Sequence, residues 1–275
     1  MELEILEHVE GYETRFEIKS VQLAFANALR RAMMSDVPTL AIDNVNFYDN
    51  TSVFFDEMLS LRLGLIPIRG DVDSVRFQSE CECGGEGCGL CQVILTLSKA
   101  CEGQEELIVM SGDLESPDKE TKPAQPDIPI INLKKNQRVI ADAVVIKGRG
   151  HEHAKFQPTT VCGYKNRYHV VTAPECKKCP EHPCVDTCPR GVFTATGGTV
   201  TVVNEADCSL CGLCIEACEG VHGKKNSKIS VTPLKDDFIF NVESDGSMDV
   251  AEIVVRAADT LKEKVNELSQ KLAEL

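Results

Sequence analysis

The chain's 275 residues suffice for one large domain or two to three small ones, and its 43% apolar and 26% charged residues are ordinary for a globular protein. A net charge of -14, from 29 Lys+Arg against 43 Asp+Glu, argues against a broad phosphate-gripping face. No apolar run approaches the roughly 20 residues of a membrane span, and MELEILEHVE lacks the basic and apolar regions of a secretory leader, so no membrane partner and a cytoplasmic location are expected.

Leu3–Lys19 alternates loosely, with Phe16 and Ile18 as apolar positions, and predicts a strand or hairpin. Ser20 suits a helix N-cap for Val21–Met34, whose apolar face comprises Val21, Ala24, Phe25, Ala28, Leu29, Ala32 and Met33. Pro38 ends that helix, because the residue before a proline is pushed out of the α region. Thr39–Tyr48 reads as extended, and Asp56–Leu65 as a short helix stopped by Gly64 and Pro67. Residues 93–99 and 107–110 read as strands, 112–129 as a Pro- and charge-rich loop, and 130–147 as further strands. Phe193–Val203 reads as a hairpin turning at Gly197-Gly198, and Lys228–Val242 as a strand. The final 25 residues predict a helix with a 3.5-residue seam of Val254, Leu261, Val265, Leu268, Leu272 and Leu275. Its first half is expected to pack on its own domain, and its second half to need a partner chain.

The 14 cysteines set the chemistry. A reducing compartment disfavours disulfides, so thiols there serve metal, catalysis or packing. Cys81-x-Cys83-x4-Cys88-x2-Cys91 lies in a Gly-rich turn, and four thiolates on a short loop suit a tetrahedral structural zinc. A free thiol loop and a further iron–sulfur site are the alternatives. Cys101 and Cys162 read as structural thiols.

The second group runs Cys176-x2-Cys179-x4-Cys184-x3-Cys188-Pro189, then Cys208-x2-Cys211-x2-Cys214-x3-Cys218. The second run has the spacing of bacterial-type ferredoxins, in which the fourth cysteine serves the other cluster. The crossed assignment is Cys176, Cys179, Cys184 and Cys218 for cluster 1, and Cys208, Cys211, Cys214 and Cys188 for cluster 2, each a [4Fe-4S] cubane. Two departures bear on cluster 1: its Cys179–Cys184 gap is two residues longer, and Glu219 follows Cys218 where proline is usual. A degenerate or three-iron cluster 1 is the variant expectation. A disulfide frame and zinc are the competing readings of these eight residues.

Three stretches frame the cysteine groups. FANALRRAMMSDVPTLAIDNV (25–45) and FDEMLSLRLGLIPI (55–68) resemble the α-like assembly subunits of cellular RNA polymerases. IPIINLKKNQRVIADAVVIKGRGHEHAKFQPTTVCGY (128–164) and FIFNVESDGSMDVAEIVVRAADTLKEKVNEL (238–268) resemble the archaeal D-type members of that family. The resemblance implies an α+β fold. A discontinuous α-like dimerisation domain (1–45 and 225–275) would carry an inserted mostly-β domain (46–165, with the Cys-rich loop 81–91) and an inserted ferredoxin-like βαβ domain (166–224). It also implies a non-catalytic scaffold that pairs with the small subunit L and then recruits subunits N, P and B without direct DNA contact. The helices Val21–Met34, with Arg30 and Arg31, and Val250–Leu275 would form the D–L interface.

A ferredoxin-type electron-transfer subunit is the competing reading of the cysteines. Gly148-Arg149-Gly150 is too short for dinucleotide binding and reads as a turn. His151 and His153 read as solvated or as a subunit contact, and the sequon Asn50-Thr51-Ser52 carries no meaning in a cytoplasmic chain. No nucleophile–base pair is recognisable, and none of the scattered carboxylates forms a catalytic pair.

Overall fold

The structure, a computed structural model, describes every residue except Gln104, Glu175, Lys177, Lys178, Pro180, Glu181 and Leu275. The chain divides into two compact units. One comprises Met1–Leu6, Phe16–Ala26 and Tyr164–Phe240, the other Glu7–Arg15, Asn27–Gly163 and Asn241–Leu275.

The hairpin β1 (Glu2–Val9) and β2 (Glu13–Lys19) opens the chain, turning where Tyr12 N–H donates to the Val9 carbonyl. β2 buries Phe16 and Ile18. Its buried Glu17 is matched by Lys19 at 3.8 Å and Arg167 at 3.9 Å. With β10 (Thr159–Thr172) and β13 (Ile229–Ser244) these strands form a four-stranded sheet of order β1-β2-β13-β10. Phe16 stacks on Phe240 at 5.1 Å, and Tyr164 meets Phe238 edge-on at 5.5 Å, an arrangement favoured by the aromatic quadrupole.

Helix α1 spans Leu23–Ser35, two residues later than expected, and Ser20 is not its cap. Ser20 sits at φ 59, with its N–H donated to the Asp237 carboxylate, and Val21 N–H donates to the Asp236 carbonyl. These bonds hold residues 20 and 21 against β13, so the first helical bonds run to the Gln22 carbonyl. The buried stripe is Ala26, Leu29, Ala32 and Met33, while Ala24 and Phe25 of the expected face are exposed.

The second unit is built on β3 (Pro38–Asn50), α2 (Asp56–Gly64), β4 (Ile68–Arg69), β5 (Gln92–Ala100), β7 (Lys122–Pro123) and β9 (Arg138–Arg149). The strands make a five-stranded sheet of order β5-β9-β3-β4-β7. β3 and β9 pair antiparallel from Pro38–Arg149 to Asn50–Val139, with bulges at Ile42/Asn44 and Phe47/Asp49. β6 (Glu106–Met110) pairs with β8 (Pro129–Lys134) alongside. Leu40, Ile42, Leu59, Leu63, Ile68, Leu95 and Leu97 fill the core, an aliphatic core in a chain without tryptophan. The remaining elements are α3 (Pro183–Thr187), β11 (Phe193–Thr196), β12 (Thr199–Val202), α4 (Leu213–His222) and α5 (Val250–Ala273). Among the described residues, no helix is long and apolar enough to cross a membrane.

Candidate metal centres and an uncovered helix

The loop 81–91 folds as two tight turns. Gly84 N–H donates to the Cys81 carbonyl at 3.0 Å, and Cys91 N–H to the Cys88 carbonyl at 3.0 Å. Gly84, Gly85 and Gly87 lie at φ 68, 89 and 93, a left-handed run open to glycine at little cost. The turns bring all four sulfurs together: Cys81–Cys88 at 3.6 Å, Cys83–Cys91 at 3.7 Å and Cys88–Cys91 at 3.8 Å. A tetrahedral ion with bonds of about 2.3 Å to sulfur requires edges of about 3.8 Å, so the donor set fits a single zinc-sized ion.

Backbone N–H groups at Gly87 and Gly85, with the Cys81 side chain, pull the Cys83 thiol down to about 6. Burial pushes Cys91 up to about 12. The loop therefore holds one ready thiolate, Cys83, beside Cys91, whose buried thiol resists ionisation without a cation. Phe77 roots the loop, with the Arg149 guanidinium 4.4 Å and the Lys147 ammonium 4.9 Å from its ring centre.

Among the described residues, this is the one group of three or more His, Cys, Asp or Glu whose ligand atoms lie within 4.8 Å of one another. The eight later cysteines are set more widely than a one-ion site requires. They lie on a short run in the order β10, α3, β11, β12, α4, β13. β11 and β12 pair from Phe193–Val202 to Thr196–Thr199, and Ala173 N–H donates to the Lys228 carbonyl at 2.8 Å. The buried core here is Val170, Val192, Phe193, Val200 and Ile229 together with Cys176, Cys184, Cys208, Cys214 and Cys218. Half of that core is thiol, so apolar burial alone gives this stretch little to fold around.

Cys188, Cys208, Cys211 and Cys214 line one pocket, with Val192, Phe193 and Leu210 completing its wall. Burial, and then the charges of Cys208, Cys188 and Cys211, push the Cys214 thiol up to about 11. In the first half, burial and then the charges of Cys176, Cys179 and Cys218 push Cys184 up to about 11. One pocket thus brings Cys188 of the first run together with Cys208, Cys211 and Cys214 of the second. Four sulfurs crowded in a desolvated pocket ionise together only around positive charge.

Lys228 N–H points at Cys218 Sγ at 3.2 Å. Glu205 ties the stretch to β10, accepting from Val170 N–H at 2.7 Å, with Arg167 at 3.2 Å and His169 at 3.1 Å. These anchors escape sequence reasoning, because 35 or more residues separate the partners and no spacing rule links them. Cys101 is buried, and half-buried Cys162 faces the Arg30 carbonyl at 3.7 Å.

The last helix, α5, divides sharply. Val250, Ile253 and Ala257 form a buried stripe at three- and four-residue spacing. Beyond Leu261 the expected seam is bare: Val265, Leu268 and Leu272 are 61%, 59% and 60% exposed, and Leu275 lies outside the described residues. On α1, Leu23 and Phe25 are exposed as well.

Sequence comparison places this architecture. The RNA polymerase Rpb3/Rpb11 dimerisation domain family matches residues 15–265. The chain is 41% identical over 271 residues to the DNA-directed RNA polymerase subunit Rpo3 of Methanosarcina acetivorans, covering 98% of this chain and 97% of that protein. It is 39% identical over 274 residues to the Rpo3 subunit of Archaeoglobus fulgidus, covering 100% and 98%. The chain belongs to the RNA polymerase Rpb3/Rpb11 dimerisation family, among the archaeal Rpo3-type, non-catalytic subunits of DNA-directed RNA polymerase.

Proposed function

We propose that this chain is the assembly scaffold of an archaeal RNA polymerase. It pairs with an Rpb11-type subunit, the family's L subunit, and the pair then recruits subunits N, P and B. The observation that carries this reading is the bare distal seam of α5, where three large apolar side chains stand about three-fifths exposed in a family defined by dimerisation. Such a surface is costly in water and is stabilised by a covering helix. This reading divides the chain into a dimerisation framework (1–45 and 225–275), a mostly-β insert (46–165), and a ferredoxin-like insert (166–224).

In the same reading, Cys176, Cys179, Cys184 and Cys218 hold one [4Fe-4S] cluster, and Cys208, Cys211, Cys214 and Cys188 the other. Cys81, Cys83, Cys88 and Cys91 hold zinc. The metals act first as cross-links for segments with little apolar core. The net charge of -14 suits a cytoplasmic scaffold set away from DNA. The electron-transfer reading accounts for the cysteine insert and leaves the framework unexplained.

Anaerobic co-expression with the Rpb11-type partner tests the proposal. A 1:1 heterodimer carrying about eight irons and one zinc is expected. A chain that stays monomeric beside its partner, with the same iron content, overturns the scaffold reading in favour of electron transfer. A heterodimer with about four irons keeps the scaffold and removes cluster 1.

A further inference from the structure

We propose that the Nδ1–H of His182 donates a hydrogen bond to a sulfur of cluster 1, the cluster assigned to Cys176, Cys179, Cys184 and Cys218. The proposal rests on the iron–sulfur reading above and takes it to one named atom.

The two halves of the cysteine insert are built alike. The residue capping α4 is Gly212, two positions before Cys214, and the residue capping α3 is His182, two positions before Cys184. Both lie in the left-handed region, at φ 79 and φ 42. Glycine adopts that backbone freely, whereas an L side chain there is strained. The first half thus places an imidazole where the second half uses a residue with no side chain, and it accepts backbone strain to do so. The longer Cys179–Cys184 gap contains this residue.

The imidazole is also unsatisfied. His182 Nδ1 is shielded from solvent and has no hydrogen-bond partner; among the described residues, Thr159 Oγ1 is the one other buried side-chain atom in that condition. An orphaned buried polar atom in a folded protein calls for a partner from outside the polypeptide. His182 lies between Cys179 and Cys184 in the chain, and the helix it caps carries the buried Cys184, whose thiol neighbours are Cys176, Cys179 and Cys218. The sulfurs of an iron–sulfur core are electron-rich acceptors, and they select the tautomer protonated at Nδ1. One electron from an external reductant adds negative charge to the core, so the donor stabilises the reduced form more than the oxidised form. Hydrogen bonding to the sulfurs is one of the levers that set such potentials.

The test uses the full chain purified anaerobically and titrated with dithionite under EPR, as parent, His182→Gly and His182→Asn. Both replacements tolerate the left-handed backbone, so both keep the fold. Glycine removes the donor, and asparagine offers an Nδ2–H in its place. His182→Gly is expected to lower the reduced-to-oxidised ratio of cluster 1 about tenfold at fixed poise, 59 mV for a one-electron couple, and to leave cluster 2 unmoved. His182→Asn is expected to stay near the parent.

Pulsed EPR on chain labelled with 15N-histidine should show weak nitrogen coupling to reduced cluster 1 in the parent and none in His182→Gly. An unchanged potential with about eight irons present overturns the proposal alone. Equal shifts in both variants, or a coupling strong enough for direct iron ligation, overturn it as well. A parent with about four irons overturns it together with the two-cluster reading, and the iron count separates that failure from the others.

Discussion

At Gly150 a turn residue is doing a packing job. A Cβ built there would fall on the Met34 carbonyl oxygen, a backbone atom that cannot swing aside. Gly150→Ala is therefore expected to cost about 3 kcal/mol, at the upper end of overpacking penalties, read as a lower urea midpoint with unchanged slope. The sequence suggested a turn at Gly148-Arg149-Gly150, but Gly148 and Arg149 end β9, paired with Thr39 and Pro38, and the turn begins at Gly150; the Met34 contact lies more than a hundred residues away and is invisible to local pattern.

Asp73 gives a pH-dependent counterpart. Hydrogen bonds from Arg256, at 2.9 Å and 2.8 Å, hold its carboxyl below the ordinary value of 3.8. The folded-state value is depressed, so the contribution is complete above the ordinary value and fades as pH falls through the lower one. Asp73 is two-thirds exposed, which screens the pair. Asp73→Asn should thus destabilise by less than about 1 kcal/mol near neutrality. The two unfolding curves should converge only below pH 3.8.

Among the elements, α5 shows where sequence pattern informs and where it stops. The helix was legible from its 3.5-residue apolar spacing, but its buried stripe is Val250, Ile253 and Ala257, while Val254 and Leu261 of the expected seam are half-buried. The boundary near Leu261, where cover ends, was not legible, because the cover comes from residues distant in sequence. Strand β10 was missed for the same reason: its neighbour β13 begins 57 residues after it ends, with the whole cysteine insert between. The start of α1 was misplaced because Ser20 has a good capping side chain, but its backbone was already engaged by Asp237.

The helix yields a sharp expectation. Leu268→Glu with Leu272→Glu should change the stability of the isolated chain by no more than about 0.5 kcal/mol, since both side chains are solvated there. Affinity for the Rpb11-type partner should fall more than about 100-fold, because two leucines otherwise buried at roughly 1.5–3 kcal/mol each become charges. Titration calorimetry on both proteins, with thermal melts of the free chain, separates the two effects. An unchanged affinity would remove the distal seam from the interface.

For the whole molecule, the five-stranded sheet and the cysteine insert draw on different sources of stability. The five-stranded sheet encloses leucine and isoleucine, while half of the buried core of the cysteine insert is sulfur. Anaerobic removal of iron by a chelator should open the insert to proteolysis between residues 174 and 227. Amide protection in β3, β5 and β9 should persist, because none of the eight cysteines assigned to iron lies among the leucines and isoleucines of their core. Simultaneous loss of protection in both regions would mean that the cysteine insert is integral to the framework. That Cys188 joins Cys208, Cys211 and Cys214 was expected from spacing, and those four line one pocket. What pattern could not supply was His182, whose significance emerges only when the folded halves are laid over each other.

The pairing of β10 with β13 has a consequence for the cysteine insert. Pro158 bonds Asp245 at one end, and Ala173 bonds Lys228 at the other, so the strands run antiparallel and close together where the cysteine insert departs and returns. Doubling such a loop costs only about 0.6 kcal/mol in closure entropy. The segment is therefore a detachable cassette: deleting residues 174–227 and joining the two strand ends with a tight turn would keep the β10–β13 pairing and the sheet.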